Sequence, residues 1–148
     1  MTLKNQFYGK INSMKKLINV ILLSLGTVGF FSFSVAQSSS ELTFEIIAAG
    51  TGEQAKAGQR ATLHYIGKLE DGSVFDSSVE RGTPAKFPVN RVISGWTEAL
   101  QLMKVGDKWR LHIPASLAYG EQSASPKIPA NSALVFEVEL LAIDKVEG

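Results

Sequence analysis

The residues that could carry out acid–base or nucleophilic chemistry are few. The chain has two histidines, His64 and His112, and no cysteine. Both histidines fall on the predicted outward faces of strands. A hydrolase site could be assembled from Ser77 or Ser78 as the nucleophile, His64 as the base and Asp76 as the carboxylate that orients the base. No nucleophile elbow or comparable signature surrounds the two serines, so the sequence does not favour a hydrolase.

Sites for metal ions and phosphate groups are not indicated either. Two histidines need further ligands on a shared face before they can hold a metal ion, and no such set is evident. No glycine-rich segment follows a strand and opens a helix, and Gly50-Thr51-Gly52 is better interpreted as a turn. We therefore expect no cofactor.

An excess of aromatic residues at inward positions is the more informative feature. Each could simply belong to the core, but tyrosine hydroxyl groups need partners when buried. Asp76 also places a carboxylate beside this apolar set. An apolar, aromatic-walled cleft with a few polar groups is typical of a small-ligand or peptide site. The aromatic residues predicted to point inward are Tyr65, Phe75, Phe87, Trp96, Tyr119 and Phe136.

A short helix must hold the centre of this aromatic set. Apolar residues of segment 96–103 recur at the i, i+3, i+4 and i+7 positions of one helical face, beginning with Trp96. Ser94 is the predicted N-cap, and Gly106 with Asp107 is the predicted stop. A helix this short is marginal alone and must bury its Trp96 face against a larger element.

The segments around the helix have the alternation of strands. Asp71-Gly72 predicts a tight hairpin, and Ile46 is predicted to face inward on the first strand. The connection 115–131 is long for a small domain, which is typical of a functional or disordered loop. The predicted fold class is α+β, an antiparallel β-sheet curled around one short central α-helix. Strands are predicted near residues 42–46, 60–65, 74–76, 86–89, 109–113 and 134–140.

The first 36 residues have the pattern of a secretory signal peptide. Two lysines precede an apolar run, and Ser34-Val35-Ala36 has small residues where a signal peptidase reads them. Met14 is a possible true initiator. We expect residues 1–36 to be removed, residues 37–41 to form a polar spacer and residues 42–148 to form one domain. The alternative is an uncleaved membrane anchor, since about 20 apolar residues can span a bilayer.

The charge of the exported part differs from that of the whole chain. The leader contains four lysines and no acidic residue, so 11 of the 15 basic residues remain against all 14 acidic ones, a net charge of about −3. No basic stripe interleaved with aromatic residues is present, so no nucleic-acid partner is expected. The expected location is periplasmic or secreted, with membrane attachment only if the leader is uncleaved.

Six segments resemble the FKBP-type peptidyl-prolyl cis-trans isomerases, the macrolide-binding immunophilin family. They occur in the family's order with matching spacing and extend over nearly the whole chain after the leader. The resemblance implies the FKBP-like fold, a sheet curled around one short helix. The segments are residues 64–67 (HYIG), 69–78 (LEDGSVFDSS), 92–96 (VISGW), 118–120 (AYG), 128–131 (IPAN) and 134–140 (LVFEVEL).

Similarity to this family implies a proline-binding pocket and a role for each residue that matches the motifs. Tyr65, Asp76 and Tyr119 are implied as the catalytic residues, with Arg81 as the partner that orients Asp76 and Tyr65. The Tyr119 hydroxyl and the backbone N–H of Ile93 are implied as donors to the ligand carbonyl. The implied pocket residues are Trp96 as the floor and Tyr65, Phe75, Phe87, Val92, Ile93, Ile128 and Phe136 as the walls.

The resemblance also implies an activity, rotation of X-Pro bonds in exported proteins that are folding. The alternative is a proline-segment binding module or chaperone that uses the same pocket without significant turnover. Expected partners are proline-containing peptides, unfolded exported proteins and macrolide inhibitors, and we expect a monomer. Ala85 and Lys127 depart from residues common in relatives, which leaves macrolide affinity and peptide preference open.

Overall fold

The computed structural model describes residues 41–145. The predicted leader, its cleavage point and the initiator Met14 lie outside the described residues, as does most of the spacer 37–41. No helix within the described part of the chain is long and apolar enough to cross a membrane.

The described elements are six strands, one α-helix and one short 3₁₀ helix. The alternation seen in the sequence accounts for the strands, because successive side chains of a strand point to opposite faces. In chain order they are β1 (Thr43–Ala48), β2 (Arg60–Leu69), β3 (Val74–Ser77), β4 (Ala85–Pro88), α1 (Ser94–Leu102), β5 (Lys108–Ile113), a 3₁₀ helix (Ala115–Leu117) and β6 (Leu134–Ile143).

The strands form one antiparallel sheet in the order β1-β5-β6-β2-β3, with β4 also paired to β2. The inward residues of β2, β5 and β6 are buried and pack in one core with the apolar face of α1. Trp96 and Met103, at the two ends of that face, are 4% and 0% exposed. The α+β prediction of a sheet packed on one short helix is confirmed.

The predicted helix boundaries were wrong at both ends. Ser94 is the first helical residue and not the N-cap, which is Ile93, and no side chain caps the helix. The Ile93 carbonyl accepts hydrogen bonds from the N–H groups of Trp96 and Thr97 at 2.9 and 3.1 Å. The helix ends at Leu102, before the predicted stop, because the following residue is already extended.

The predicted stop at Gly106 and Asp107 has a different role. Gly106 has a φ of 94°, a conformation that favours glycine, and forms a turn before β5. The Asp107 side chain is fully buried, and its two carboxylate oxygens accept hydrogen bonds from the N–H groups of Gly50 and Lys104, at 2.6 and 2.7 Å. This carboxylate therefore ties the segment after β1 to the segment after the helix.

The predicted inward position of Ile46 was also wrong, since its side chain is 39% exposed. β1 is the edge strand of the sheet, and its register with β5 shifts between Ile46 and Ala48. Phe44 covers the core instead, with its ring stacked on that of Trp109 at a centroid distance of 4.3 Å. An irregular edge strand can thus break the alternation that the sequence predicts.

Candidate active site

Trp96 lies at the centre of a cluster of aromatic rings. Its ring meets those of Tyr65, Phe87 and Phe136 edge to face, at centroid distances of 5.3, 5.6 and 5.1 Å. Phe75 extends the cluster through a similar contact with Phe136 at 5.5 Å. These distances and angles fall in the favourable range for aromatic pairs. The structure thus brings together five of the six aromatic residues that the sequence predicts to point inward.

Four elements bring these rings together. Tyr65 comes from the inward face of β2, Phe136 from β6, Phe87 from β4 and Trp96 from the first turn of α1. Trp96 lies in the first turn of α1, and through its ring this turn contacts the rings of Tyr65, Phe87 and Phe136. Phe75, on β3, is half-buried and forms the outer side of the cluster.

A glycine makes room for the contact between the rings of Phe75 and Phe136. Gly67 is buried on β2, and a Cβ atom added there would lie 2.6 Å from the ring of Phe75 and 2.7 Å from that of Phe136. Real Cβ atoms do not approach other atoms so closely, so any side chain would displace one of the rings. A glycine inside a strand often marks such a close approach, which is the signal that could have identified Gly67 from the sequence.

One polar group of residues borders the cluster. The Tyr65 hydroxyl donates a hydrogen bond to one oxygen of Asp76, and the Arg81 guanidinium binds the other oxygen. Arg81 also donates to the Tyr65 oxygen at 3.0 Å and lies over the tyrosine ring, 5.7 Å from its centroid. The implied partnership of Arg81 with both residues is therefore present in the structure.

These contacts shift the ionisation of both acidic groups. Burial, followed by the hydrogen bond to Asp76, raises the pKa of the Tyr65 phenol. Burial acts to raise the pKa of Asp76, but hydrogen bonds from Tyr65 and Arg81 outweigh it and hold that pKa below its ordinary value. At neutral pH the site thus presents a neutral phenol that donates to an ionised carboxylate.

The other implied pocket residues differ in how closely they join the cluster. Ile128 is 6% exposed and belongs to the same core, and Val92 and Ile93 are half-buried against it. The N–H of Ile93 makes no hydrogen bond within residues 41–145, which leaves it free to bind a ligand. Ala85 is half-buried beside the core, whereas Lys127 is exposed.

Tyr119 is the implied site residue that the structure does not bring into the cluster. It follows the 3₁₀ helix, its side chain is 43% exposed, and its hydroxyl has no hydrogen-bond partner among the described residues. Its loop is nevertheless held, since the N–H of Gly120 donates to Ala115 and the carbonyl of Gly120 accepts from Asn131, at 2.8 and 2.7 Å. The Tyr119 side chain is therefore exposed on a loop that hydrogen bonds of Gly120 hold in place.

The serine–histidine pair that could have formed a nucleophilic site is present but cannot act as one. His64 lies on the outward face of β2, as predicted, where it is half-buried and its Nδ1 lies 3.0 Å from Ser78 Oγ. Ser78 is 0% exposed and its hydroxyl is bound to the backbone of Tyr65. Asp76 contacts Tyr65 and Arg81 instead of the histidine. His112 is exposed, as predicted.

Two other features of residues 41–145 do not form a second candidate site. An open cleft of about 330 Å³ lies beside His112, Asn131 and Glu70 at the hairpin end of the sheet, and none of the clustered aromatic residues lines it. No group of three or more His, Cys, Asp or Glu side chains in this part of the chain could hold a metal ion. The aromatic cluster and its polar border remain the candidate site.

Comparison with known proteins gives the same family as the motifs. Residues 51–141 match the sequence profile of the family described as FKBP-type peptidyl-prolyl cis-trans isomerase. The FKBP-type 22 kDa peptidyl-prolyl cis-trans isomerase of Escherichia coli is 58% identical over 109 residues, which are 74% of this chain and 53% of that protein. The outer membrane protein MIP of Legionella longbeachae is 46% identical over 106 residues, which are 72% of this chain and 46% of that protein.

Solved structures are similar as well. A crystal structure of a peptidyl-prolyl cis-trans isomerase from Pseudomonas syringae pv. tomato matches with a TM-score of 0.66 and 42% sequence identity, covering 70% of this chain and 76% of that one. The chain spans about half the length of the curated relatives it matches. The profile match covers more than half of the sequence, and so the chain belongs to the FKBP-type peptidyl-prolyl cis-trans isomerase family.

Proposed function

We propose that this protein is a peptidyl-prolyl cis-trans isomerase whose active site is the aromatic cluster around Trp96. The observation that carries the proposal is the combination of a buried aromatic floor with one fixed polar group at its edge, Tyr65, Asp76 and Arg81. This combination suits a reaction in which a bond rotates and no covalent bond is made or broken.

The barrier explains why such a site is sufficient. Rotation about an X-Pro bond breaks amide resonance and has a barrier of about 20 kcal/mol. The planar amide is more polar than the twisted one, so transfer from water into an apolar pocket raises the ground state more than the transition state. A tenfold gain in rate needs only about 1.4 kcal/mol of this difference.

Each side chain then has a separate role. The proline ring packs on Trp96, with Phe136 and Ile128 among the walls. The free N–H of Ile93 and the free hydroxyl of Tyr119 donate hydrogen bonds to substrate carbonyl groups. Because both groups lack partners within residues 41–145, they bind a substrate without first breaking an internal hydrogen bond.

The ionised Asp76 borders the pocket as a fixed charge. Its two oxygens are held by Tyr65 and Arg81, so the carboxylate does not need to reorganise when a substrate enters. The field of this carboxylate acts on the carbon and nitrogen of the bound amide, whose charge distribution changes as the bond twists. Asp76 and Tyr65 therefore stabilise the twisted amide without transferring a proton.

We propose proline-containing segments of folding exported proteins as the substrates. The signal-peptide pattern of residues 1–36 supports export, and a relative that is 46% identical is named an outer membrane protein. Macrolides are proposed as inhibitors of the same pocket. Residues 42–148 are proposed to form the isomerase domain and to act as a monomer.

A refolding assay tests the proposal against binding without turnover. The substrate is a protein whose slow refolding phase is limited by a proline isomerisation of tens of seconds. Catalytic amounts of the isomerase should shorten that phase in proportion to enzyme concentration. A pure binding module would leave the rate unchanged, or slow it as its concentration approaches that of the substrate.

A further inference from the structure

Strand β2 changes its neighbour in the middle of one edge. β4 pairs with β2 as far as Leu63, and β3 pairs with it from Ile66 onward. His64 and Tyr65 lie between the two partner strands on this edge. The backbone N–H and C=O of Tyr65 are buried there, and they need partners that neither strand provides through its ladder.

Ser78, the first residue after β3, supplies these partners. Its hydroxyl oxygen accepts a hydrogen bond from the N–H of Tyr65 at 2.8 Å, and its own N–H donates to the Tyr65 carbonyl at 3.0 Å. The hydroxyl can also donate to the Tyr65 carbonyl at 3.3 Å, and its oxygen lies 3.0 Å from His64 Nδ1. The side chain of Ser78 thus replaces a missing strand residue at this point.

The same segment of chain also holds the other end of Tyr65. Asp76 and Arg81 bind its phenol group, while Ser78, between them in sequence, binds its backbone. The position of the Tyr65 ring relative to Asp76 therefore depends on all three contacts. Without the Ser78 hydroxyl, the buried Tyr65 N–H would lose its partner, and of the two backbone hydrogen bonds between Tyr65 and Ser78 only the one from the Ser78 N–H would remain.

We propose that Ser78 is a positioning residue that sets the geometry of Tyr65 against Asp76 and Arg81, an inference that rests on the proposed isomerase function. Ser78 does not touch a substrate, since it is 0% exposed. It acts through the backbone of Tyr65. Displacements of about 1 Å in a supporting contact can reduce rates by up to a hundredfold.

The neighbouring serine offers a matched control. Ser77 is 3% exposed, and its hydroxyl accepts a hydrogen bond from the N–H of Glu80 at 3.1 Å without contacting Tyr65. Ser77→Ala and Ser78→Ala each remove one buried serine hydroxyl that accepts a backbone N–H. Similar losses of stability are expected from both, so a difference in activity reports on positioning.

The test measures kcat and KM for a proline peptide in four variants of the protein: Ser77→Ala, Ser78→Ala, Tyr65→Phe and the double variant Tyr65→Phe with Ser78→Ala. Folded fractions are matched by unfolding titrations. We expect Ser78→Ala to lower kcat/KM about tenfold, mainly through kcat, and Ser77→Ala to stay within about twofold of the wild type. In the Tyr65→Phe background, Ser78→Ala should cost less than about twofold, because the contact it protects is already absent.

Two results would overturn the inference. One is a folded Ser78→Ala protein within twofold of wild-type activity, and the other is an undiminished tenfold loss in the Tyr65→Phe background. NMR of ¹³C-labelled tyrosine supplies a readout that does not need turnover. The Tyr65 ring resonances should move in Ser78→Ala and not in Ser77→Ala; unmoved resonances in Ser78→Ala would also refute the positioning role. An inactive wild type with shifted resonances would instead reject the proposed function alone.

Discussion

Replacing Trp96 by Leu tests whether its ring acts as the floor of the proposed site or only as part of the core. Leu keeps apolar bulk but removes the aromatic surface on which the proline ring is proposed to pack. Trp109→Leu is the matched control, because Trp109 is 3% exposed against 4% for Trp96 and lies on β5 outside the aromatic cluster. Both substitutions replace a buried indole by the same smaller side chain.

The expected loss of stability follows from the contacts of each ring. Trp96 makes three edge-to-face contacts, with Tyr65, Phe87 and Phe136. At about 0.5–1.5 kcal/mol each, with part of the loss offset by repacking of Leu, the free energy of unfolding should fall by about 2–4 kcal/mol. Trp109 makes one stacked contact, with Phe44, and on the same basis its replacement should cost about 0.5–1.5 kcal/mol.

Activity should separate the two variants more clearly than stability. We expect Trp96→Leu to lower kcat/KM of the folded protein at least tenfold, equivalent to about 1.4 kcal/mol of lost transition-state stabilisation. Trp109→Leu should remain within about twofold of the wild type, since Trp109 does not border the site. Urea titrations give the folded fraction, and a protease-coupled proline peptide assay gives the rate.

Fluorescence of the same two variants locates the ligand independently, because each retains a single tryptophan. A proline peptide should change the emission of Trp96 in Trp109→Leu. It should leave the emission of Trp109 in Trp96→Leu nearly constant. A titration that alters only Trp109, or equal losses of activity in both variants, would refute the placement of the site.

Three further substitutions test residues beside the proposed site and one carboxylate buried elsewhere in the fold. Asp76→Ala should lower kcat/KM several-fold but unfolding free energy by at most about 1 kcal/mol, because its ion pair is half exposed; a collapse of the melting point would make Asp76 structural. The pKa of Asp76 is lower in the folded protein than in the unfolded chain, so its contribution to stability is complete above about pH 4. That contribution disappears as the pH falls through the folded-state pKa. Urea titrations of the wild type and Asp76→Ala should therefore converge at low pH. Gly67→Ala should reduce kcat/KM because its methyl group would displace the ring of Phe75 or Phe136. Adding Phe75→Leu to this variant should restore peptide affinity in part. An unchanged KM in Gly67→Ala would contradict the predicted steric clash. Asp107→Asn should destabilise the fold by about 2 kcal/mol in urea titrations and leave kcat/KM unchanged, because an amide cannot accept both backbone hydrogen bonds; unaltered stability would contradict this.

Local patterns were enough to predict the inward faces of the sheet and the helix. The alternation in β2 and β6 and the helical spacing after Trp96 place Tyr65 and Phe136 inside, because burial imposes the same period on the sequence. The hairpin at Asp71-Gly72 is confirmed by Gly72, whose φ is 88°. These features depend on residues that are close in sequence.

Features that depend on distant partners were missed or misjudged. The sequence predicts Asp107 as part of a helix stop, but its buried carboxylate accepts a hydrogen bond from Gly50, 57 residues away. From the sequence, Ser78 could be considered a nucleophile. Its proposed role, binding the backbone of Tyr65, arises only because β3 and β4 leave a gap along β2. The exposure of Ile46 depends on the sheet order, which makes β1 an edge. Periodicity carries no information on any of these pairings.

The most direct test of the account is an NMR exchange experiment on a proline peptide in which the indole Nε1–H resonance of Trp96 is also followed. Catalytic amounts of protein should produce cis–trans exchange cross-peaks in the peptide, and excess peptide should shift the Trp96 indole resonance while that of Trp109 stays in place. Exchange cross-peaks without a Trp96 shift would place catalysis elsewhere in the molecule. A Trp96 shift without exchange would show that the pocket binds proline segments and does not turn them over.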